Sequence, residues 1–212
     1  MIKCLIFDFD GVILDSVNIK TYSFQQMYSH YGKNVAKKVK NFHLDNGGMS
    51  RFKKFKYYEE VILKKKCTNN KINILSKEFE FKVKHKVIKA PYINGAKRFL
   101  GNNYKKYKCF ISTGTPQKEI NEIVLEKKIK HLFKGVYGSP ESKISHIKKI
   151  IKKYNFNKED ILFLGDSKND YEAALSQKIN FVAVGKDHFF KRKGIDIIKD
   201  LSELKGYLTE LQ

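Results

Sequence analysis

A short apolar run near the start of the chain ends in two aspartates, and this pattern limits the folds open to the sequence. Residues 2–7 read IKCLIF, and Asp8, Asp10 and Gly11 follow at once in DFDGVILDS. An apolar run of this length, without alternating polar positions, is typical of a parallel strand buried on both faces. Such strands occur in sheets covered by helices, so the run predicts an α/β fold with carboxylates at the end of its first strand.

Four further apolar runs resemble the first one, and helical patterns separate them. The runs cover residues 108–112, 135–137, 161–164 and 181–184. The helical patterns cover residues 115–127, 142–154 and 168–177. Thr115 is the predicted N-cap of the first of these helices. Strands that alternate with helices form βαβ units, so the pattern predicts a parallel sheet.

Residues 16–90 show a different pattern, with helical stretches and no convincing strand. The stretches cover residues 17–31, 50–66 and 72–88. We therefore predict an α/β core of residues 1–15 and 91–212, with an all-helical domain of residues 16–90 inserted after the first strand. Asp15 and Ser16 are predicted to cap the helix that follows them and to act as a hinge.

A second acidic group follows the fourth apolar run, in the stretch LFLGDSKND, which contains Asp166 and Asp170. Ligands of open α/β sheets bind at the carboxyl ends of the strands, so these two aspartates are expected to converge with Asp8 and Asp10. Converging carboxylates repel each other unless a hard cation lies between them. Mg²⁺ prefers oxygen ligands together with water and substrate phosphate, and the sequence therefore predicts a magnesium site.

The two aspartates after the first strand are predicted to have different roles, because only one of them can face a substrate in line. An ionised Asp8 beside the metal can attack phosphorus and form an acyl phosphate. Asp10 can protonate the leaving alcohol oxygen and then deprotonate the water that releases phosphate. Gly11 allows a sharp turn that brings backbone N–H groups towards the transferred group.

Four ordered stretches resemble motifs I to IV of the haloacid dehalogenase superfamily. They are DFDGVILDS, FISTGTP, the helix start at Lys143 and LGDSKND. The position of the insert resembles the helical cap of the phosphoglycolate phosphatase and β-phosphoglucomutase branch. The resemblance implies a Rossmann-like three-layer core with a helical cap, Mg²⁺, and phosphoryl transfer from a small phosphorylated metabolite through an aspartyl phosphate.

The resemblance implies a role for each residue of the first two motifs. Asp8 corresponds to the nucleophile. Asp10 corresponds to the general acid/base, whose backbone carbonyl also binds the metal in this family. Thr113 corresponds to the hydroxyl that hydrogen-bonds the phosphoryl group, beside the N–H of Gly114.

In the last two motifs, Lys143 corresponds to the cation that neutralises charge on the nucleophile and the phosphate, and Asp166 to a metal ligand. Asp170 is predicted to hold a metal-bound water or to orient Lys143. The usual Lys-Pro of motif III is missing. We prefer Lys143 at the helix start over Lys148 and Lys149, which would point away along the helix.

Several residues of this chain discriminate between the reactions that the superfamily catalyses. Asp10 favours a phosphate ester over a haloacid, since dehalogenases lack a second carboxylate in motif I. Phosphomutases of the β-phosphoglucomutase type have a histidine in the hinge, where this chain has Ile19 and Lys20. Hydrolysis is therefore favoured over mutase activity. The sequence does not exclude phosphonate hydrolysis through a Schiff base on a lysine of the cap.

The segment HLDNGGMSRFKKF of the predicted cap contains a flexible Gly-Gly loop followed by a helix start at Ser50. Arg51 and Lys54 fall in the first turn of that helix, where cations oppose the helix dipole. An anionic partner would offset this unfavourable arrangement. We therefore predict that Arg51, together with Lys54, closes over an anionic substrate.

The formal charge of +21 raises the question of nucleic-acid binding. The excess is almost all lysine, spread along the chain with many Asn and Ile, whereas phosphate and base recognition favours arginine. We interpret the excess of lysine, asparagine and isoleucine as the codon bias of an AT-rich genome. Nucleic acid is therefore not the expected partner. A nucleic-acid-binding protein and a phosphatase of nucleic-acid ends remain the alternatives.

Three cysteines, Cys4, Cys67 and Cys109, show no metal-binding spacing, and their odd number argues against a disulfide framework. No stretch approaches the roughly 18 apolar residues of a membrane span, and the first residues do not resemble a signal peptide. The expected location is the cytoplasm.

Overall fold

The computed structural model describes residues 1–185 and 188–211, which form one parallel six-stranded sheet and ten α-helices. The strands are β1 Cys4–Phe7, β2 Lys108–Pro116, β3 Gly135–Ser139, β4 Ile161–Gly165, β5 Asn180–Val184 and β6 Ile197–Ile198. The helices are α1 Val17–Met27, α2 Lys33–Asp45, α3 Arg51–Tyr57, α4 Asn69–Lys89, α5 Ala96–Asn103, α6 Gln117–Glu126, α7 Lys143–Tyr154, α8 Lys168–Gln177, α9 His188–Arg192 and α10 Leu204–Glu210. The strand order is β3-β2-β1-β4-β5-β6.

Strand β1 lies inside the sheet, between β2 and β4. All four of its residues are buried, as expected for an apolar strand covered on both faces. Phe7 lies opposite Ile111 of β2 and Leu164 of β4. The carboxyl ends of β2, β1 and β4 therefore lie at the same edge of the sheet. The strand order reverses between β1 and β4, and open α/β sheets bind ligands at such a point.

Apolar clusters cover both faces of the sheet. Leu5 and Phe7 belong to the larger cluster, whereas Cys4 and Ile6 belong to the smaller one. This division follows from the strand geometry, because successive side chains point to opposite faces. The larger cluster continues into the inserted helices through residues such as Phe24. The predicted α/β fold with a parallel sheet is confirmed.

The segment between β1 and α5 is helical and contains α1 to α4, with a π-helical turn, Tyr58–Ile62, after α3. Its helices pack around the buried ring of Phe24. The centroid of this ring lies 3.9 Å from the ring centroid of Phe79 and 5.4 Å from that of Phe55. This helical content agrees with the cap that the sequence predicts. None of the described helices, including the 21-residue α4, is both long and apolar enough to cross a membrane.

The two ends of the helical insert run side by side where they leave the core. The Asp15 N–H donates to the carbonyl of Pro91 at 2.9 Å, and the Ile93 N–H donates to the carbonyl of Ile13 at 3.0 Å. Leu14 forms an antiparallel bridge with Tyr92. These backbone hydrogen bonds tie the two connecting segments together beside the end of β1.

Helix α2 and strand β6 were not predicted. The buried residues of α2 are Ala36, Val39 and His43, which form a weak apolar face between lysines. Gly32 precedes the helix and offers no side chain for an N-cap. Strand β6 is two residues long, too short to produce a periodic pattern.

The prediction that Thr115 caps a helix is wrong. Strand β2 extends through Pro116, so Thr115 lies within the strand, and α6 begins two residues later at Gln117. Proline at this boundary removes a backbone donor that the first turn of a helix does not need.

Candidate active site

Asp8 directly follows β1 and is 2% exposed. Its backbone N–H donates to the carbonyl of Leu164 at 2.9 Å, which continues the pairing of β1 with β4 by one residue. Its carboxylate accepts a hydrogen bond of 2.7 Å from the N–H of Phe9. The end of the strand therefore fixes both the backbone and the carboxylate of Asp8.

Carboxylate oxygens of Asp8, Asp166 and Asp170 all lie within 4.8 Å of one another. Burial raises the pKa of Asp8 to about 7, although Lys143 opposes the shift. Burial and the neighbouring Asp8 and Asp170 also raise the pKa of Asp166. The carboxylate of Asp166 forms no hydrogen bond or ion pair with the described part of the chain. A divalent cation would compensate this buried negative charge, so the three residues fit a metal site.

Lys143 is the first residue of α7, and the Ser142 hydroxyl caps this helix by accepting from the N–H of Ser145. The Lys143 ammonium lies 2.9 Å from the Asp8 carboxylate and also donates to Asp170. Burial lowers the pKa of Lys143, but Asp170 and Asp8 raise it more, so the net shift is upward. Lys143 is therefore a permanent cation beside Asp8.

Asp170 accepts hydrogen bonds from the Ser167 hydroxyl at 2.6 Å and from the Ser167 N–H at 3.2 Å. The bond from the Ser167 N–H is one half of a capping box at the start of α8, in which the Ser167 side chain accepts from the N–H of Asp170. The Asp170 carboxylate is thus held beside the Lys143 ammonium, while Lys149 forms a surface ion pair with Glu141.

The carboxylate of Asp10 does not belong to the three-carboxylate group and is bound by a set of donors. It accepts from the Ser16 hydroxyl at 2.6 Å, from the Lys20 ammonium, and from the Thr115 hydroxyl at 3.3 Å. Burial alone would raise the pKa of Asp10, but Lys20 and Ser16 lower it below its usual value. Ser16 occupies the predicted N-cap position of α1, but its hydroxyl binds Asp10 and forms no cap hydrogen bond.

Sequence reasoning missed the role of Lys20, and it missed Thr115 as a site residue. The Lys20 ammonium donates to Thr115 at 2.7 Å as well as to Asp10, so it links α1 to β2. The spacing of Ser16 and Lys20, one helical turn apart at the entrance to the cap, is the sequence signal that places both side chains beside Asp10.

Gly11 has a φ of +81°, and a β-carbon built on it would lie 2.0 Å from Oδ2 of Asp166. Both the conformation and the close approach of Asp166 require glycine.

We expect Gly11→Ala to lower kcat by about 10²-fold, because Asp166 or the turn must move by an appreciable fraction of an ångström. The left-handed conformation adds about 1–2 kcal/mol of destabilisation. Steady-state turnover and thermal unfolding measure the two effects, and Gly101→Ala, with no neighbouring atom within 4 Å, is the matched control. Wild-type turnover in Gly11→Ala would contradict the assigned contact.

Thr113 and Gly114 lie in the last part of β2, and both line a cavity that Asp8 and Asp10 also line. The Thr113 hydroxyl accepts from the N–H of Thr115 at 3.2 Å. A β-carbon on Gly114 would lie 2.6 Å from the carbonyl oxygen of Gly48 in the cap. The side chain of Asn169 donates to the carbonyl of Gly47 at 2.6 Å. The Gly-Gly loop of the cap therefore closes directly over the core.

The helical insert and the core together line a cavity of about 330 Å³. The catalytic candidates Asp8, Asp10 and Asp166 line its core side, and Lys54 and Phe79 line its cap side. A volume at the lower end of the range for ligand sites fits a small molecule.

Arg51 lines the cavity but does not provide the free cation that the sequence predicts. Its guanidinium lies 2.7 Å from the carboxylate of Glu119 on α6 and also donates to the carbonyl of Ser76. Since Glu119 already neutralises Arg51, the arginine links the cap to the core. Lys54 also lines the cavity, and its ammonium lies 2.8 Å from Nδ1 of His43.

The family model of the haloacid dehalogenase-like hydrolases matches residues 5–184 of the chain. No curated protein matches it.

Solved structures of similar fold cover nearly the whole chain. A β-phosphoglucomutase from Clostridium difficile has a TM-score of 0.82 at 19% identity and covers 100% of this chain and 97% of its own. A predicted phosphatase from Clostridium acetobutylicum has a TM-score of 0.78 at 17% identity, with 99% of each chain covered. A predicted phosphoglycolate phosphatase from Haemophilus somnus has a TM-score of 0.75 at 19% identity, with 98% of each chain covered. At these identities the likeness shows the fold alone.

Proposed function

Since the chain belongs to the haloacid dehalogenase-like hydrolase family, we propose that it is a Mg²⁺-dependent phosphatase that hydrolyses a small phosphomonoester through an aspartyl phosphate on Asp8. The observation that carries this proposal is the grouping of three carboxylates with Lys143, 2.9 Å from Asp8, beside a cavity that Asp8 and Asp166 line. The size of the cavity favours a small ester over a nucleic acid.

The proposed metal ligands are the carboxylates of Asp8 and Asp166 and the backbone carbonyl of Asp10, with Asp170 holding a metal-bound water. The uncompensated carboxylate of Asp166 supports this assignment. Bound Mg²⁺ would neutralise the carboxylates and the phosphoryl oxygens, which lets two negative groups approach each other.

In the first half of the proposed reaction, an oxygen of Asp8 forms a bond to phosphorus while the bond from phosphorus to the ester oxygen breaks. This half requires the protonated form of Asp10, which the negative charge of a bound phosphate ester favours; Asp10 gives that proton to the ester oxygen, and the alcohol leaves. Lys143 stabilises the charge on the phosphoryl group. The predicted role of Thr113 and Gly114 is to donate hydrogen bonds to the same group.

In the second half, Asp10 takes a proton from water, the water oxygen bonds to phosphorus, and the bond from phosphorus to Asp8 breaks. Free Asp8 and phosphate result. The lowered pKa of Asp10 favours the ionised form that this half requires. Ser16 and Lys20 hold the Asp10 carboxylate in place for both proton transfers.

We expect phosphate release from p-nitrophenyl phosphate to stop when EDTA is added and to return with Mg²⁺. Mg²⁺ at about 100 times its dissociation constant should also stabilise the fold by about 2.7 kcal/mol, or roughly 5–10 °C in melting temperature. The variant Asp166→Asn should lose most of this shift, whereas Asp160→Asn, at the opposite end of β4 beside Lys3, should keep it. Equal shifts in both variants would contradict the assigned ligands.

A phosphomutase of the β-phosphoglucomutase type is the second candidate function, supported by the structural likeness to such an enzyme. The hinge position next to Asp10 holds Lys20 in place of the histidine of phosphomutases. We therefore expect free phosphate, and no glucose 1,6-bisphosphate, when the protein acts on β-glucose 1-phosphate. Formation or consumption of the bisphosphate at a rate above phosphate release would favour the mutase.

A further inference from the structure

The cavity between cap and core has four lysine and arginine side chains in its lining, and three of them have a carboxylate partner. These three pairs are Lys20 with Asp10, Arg51 with Glu119, and Lys168 with Glu172. Lys54 is the fourth cation. No carboxylate of the described residues lies within 4.0 Å of its ammonium group.

Lys54 is 2% exposed, and its described hydrogen-bond acceptors both belong to His43. Its ammonium lies 2.8 Å from Nδ1 of His43 and 3.5 Å from the His43 carbonyl oxygen. Burial and the neighbouring Lys54 lower the pKa of His43 to about 2, so the imidazole is neutral and its Nδ1 accepts. At least one N–H of Lys54 is therefore left for a ligand.

The surroundings of Lys54 are costly for a charged amine. Apart from His43, its ammonium has a cation–π contact with Phe24, whose ring centroid lies 5.7 Å away, and this contact offsets only part of the cost of burial. Burial and the nearby Lys20 lower the pKa of Lys54 to about 7, although Asp10 and other carboxylates of the cavity oppose the shift. A buried charge without a counterion is destabilising, and an anion bound in the cavity would remove that cost.

We infer that Lys54 binds a second anionic group, a carboxylate or a phosphate, on the alcohol part of the ester. This inference rests on the proposed function and specifies its substrate class. The phosphoryl group to be transferred lies at Asp8 and Lys143, on the core side of the cavity, and the second anion lies at Lys54, on the cap side. A cavity of about 330 Å³ limits the part between them to a few carbon atoms.

Three esters with the same three-carbon chain test the inference. Propyl phosphate has no second anion, 2-carboxyethyl phosphate has a carboxylate, and propane-1,3-diol bisphosphate has a second phosphate. We expect the wild-type protein to prefer at least one of the acidic esters over propyl phosphate by about 10- to 100-fold in kcat/KM, as one charge-assisted hydrogen bond allows. The preferred ester identifies the anion.

The variant Lys54→Met should lose most of that preference, mainly through a higher KM for the acidic ester. Lys54→Arg should keep part of it, and Lys53→Met, on the exposed face of the same helix, should keep all of it. We also expect Lys54→Met to have a higher melting temperature than the wild type, because a buried ammonium is removed. A purely structural role of Lys54 would give a lower one.

An unchanged preference in Lys54→Met, or no preference in the wild type, would overturn the inference while hydrolysis of propyl phosphate still supports the proposed function. Failure to release phosphate from all three esters and from p-nitrophenyl phosphate would overturn both. Borohydride reduction in the presence of phosphonoacetaldehyde offers a further test. A covalent adduct on Lys54 would show an imine in place of an ion pair and would also overturn the inference.

Discussion

Replacing Asp8 by asparagine is expected to lower kcat/KM for p-nitrophenyl phosphate by at least about 10⁴-fold, as loss of a covalent nucleophile does in other enzymes. The amide keeps the shape of the side chain but cannot form an acyl phosphate. Initial rates of p-nitrophenol release at saturating Mg²⁺ measure the effect. Residual activity within tenfold of wild type would contradict the nucleophilic role.

The same variant provides its own control for folding. The pKa of Asp8 is raised by burial to about 7, so the ionised carboxylate destabilises the metal-free folded state. This loss of folding stability begins when the pH rises past the ordinary carboxyl pKa, and it is complete once the pH exceeds the raised pKa of about 7. We therefore expect Asp8→Asn to melt at a higher temperature than wild type in EDTA at pH 8, with the difference vanishing below pH 4. A strongly lowered melting temperature at pH 8 would contradict this electrostatic assignment.

Replacing Lys143 by alanine is expected to lower kcat by about 10²- to 10³-fold, the cost of removing one preorganised charge at a transferred group. Its loss also leaves Asp8 and Asp170 without their shared cation. Turnover of p-nitrophenyl phosphate at saturating Mg²⁺ measures the change.

Lys149→Ala is the matched control, because Lys149 lies on the same helix and pairs with Glu141 at the surface. We expect this variant to retain wild-type kcat. If Lys149→Ala lost activity and Lys143→Ala kept it, the cation beside Asp8 would have been assigned to the wrong lysine.

The α/β fold was predictable because its strands contain short apolar runs without the spacing of an amphipathic helix. The approach of Asp8, Asp166 and Asp170 followed from one topological rule, that parallel strands end at the same edge of a sheet. The helix start at Lys143 followed from the apolar period of α7 and the serine before it.

The contacts between the helical insert and the core could not be predicted, because they join residues that are far apart in the sequence. Arg51 illustrates this: its position in a first helical turn was visible, but its partner Glu119 lies 68 residues away. The same holds for Lys20 and Thr115, which meet at Asp10 across 95 residues. Local patterns favoured capping roles for Ser16 and Thr115, and the tertiary hydrogen bonds to Asp10 replaced them.

The most direct test of the account is chemical capture of the phosphoryl group on Asp8. The variant Asp10→Ala lacks the group that activates the hydrolytic water, whereas p-nitrophenolate leaves without needing a proton. Acid quenching of this variant with p-nitrophenyl phosphate and Mg²⁺, followed by peptide mass spectrometry, should find nearly one phosphoryl group per chain, on Asp8. Release of phosphate with no phosphorylated Asp8, or with the phosphoryl group on another residue, would contradict the proposed mechanism.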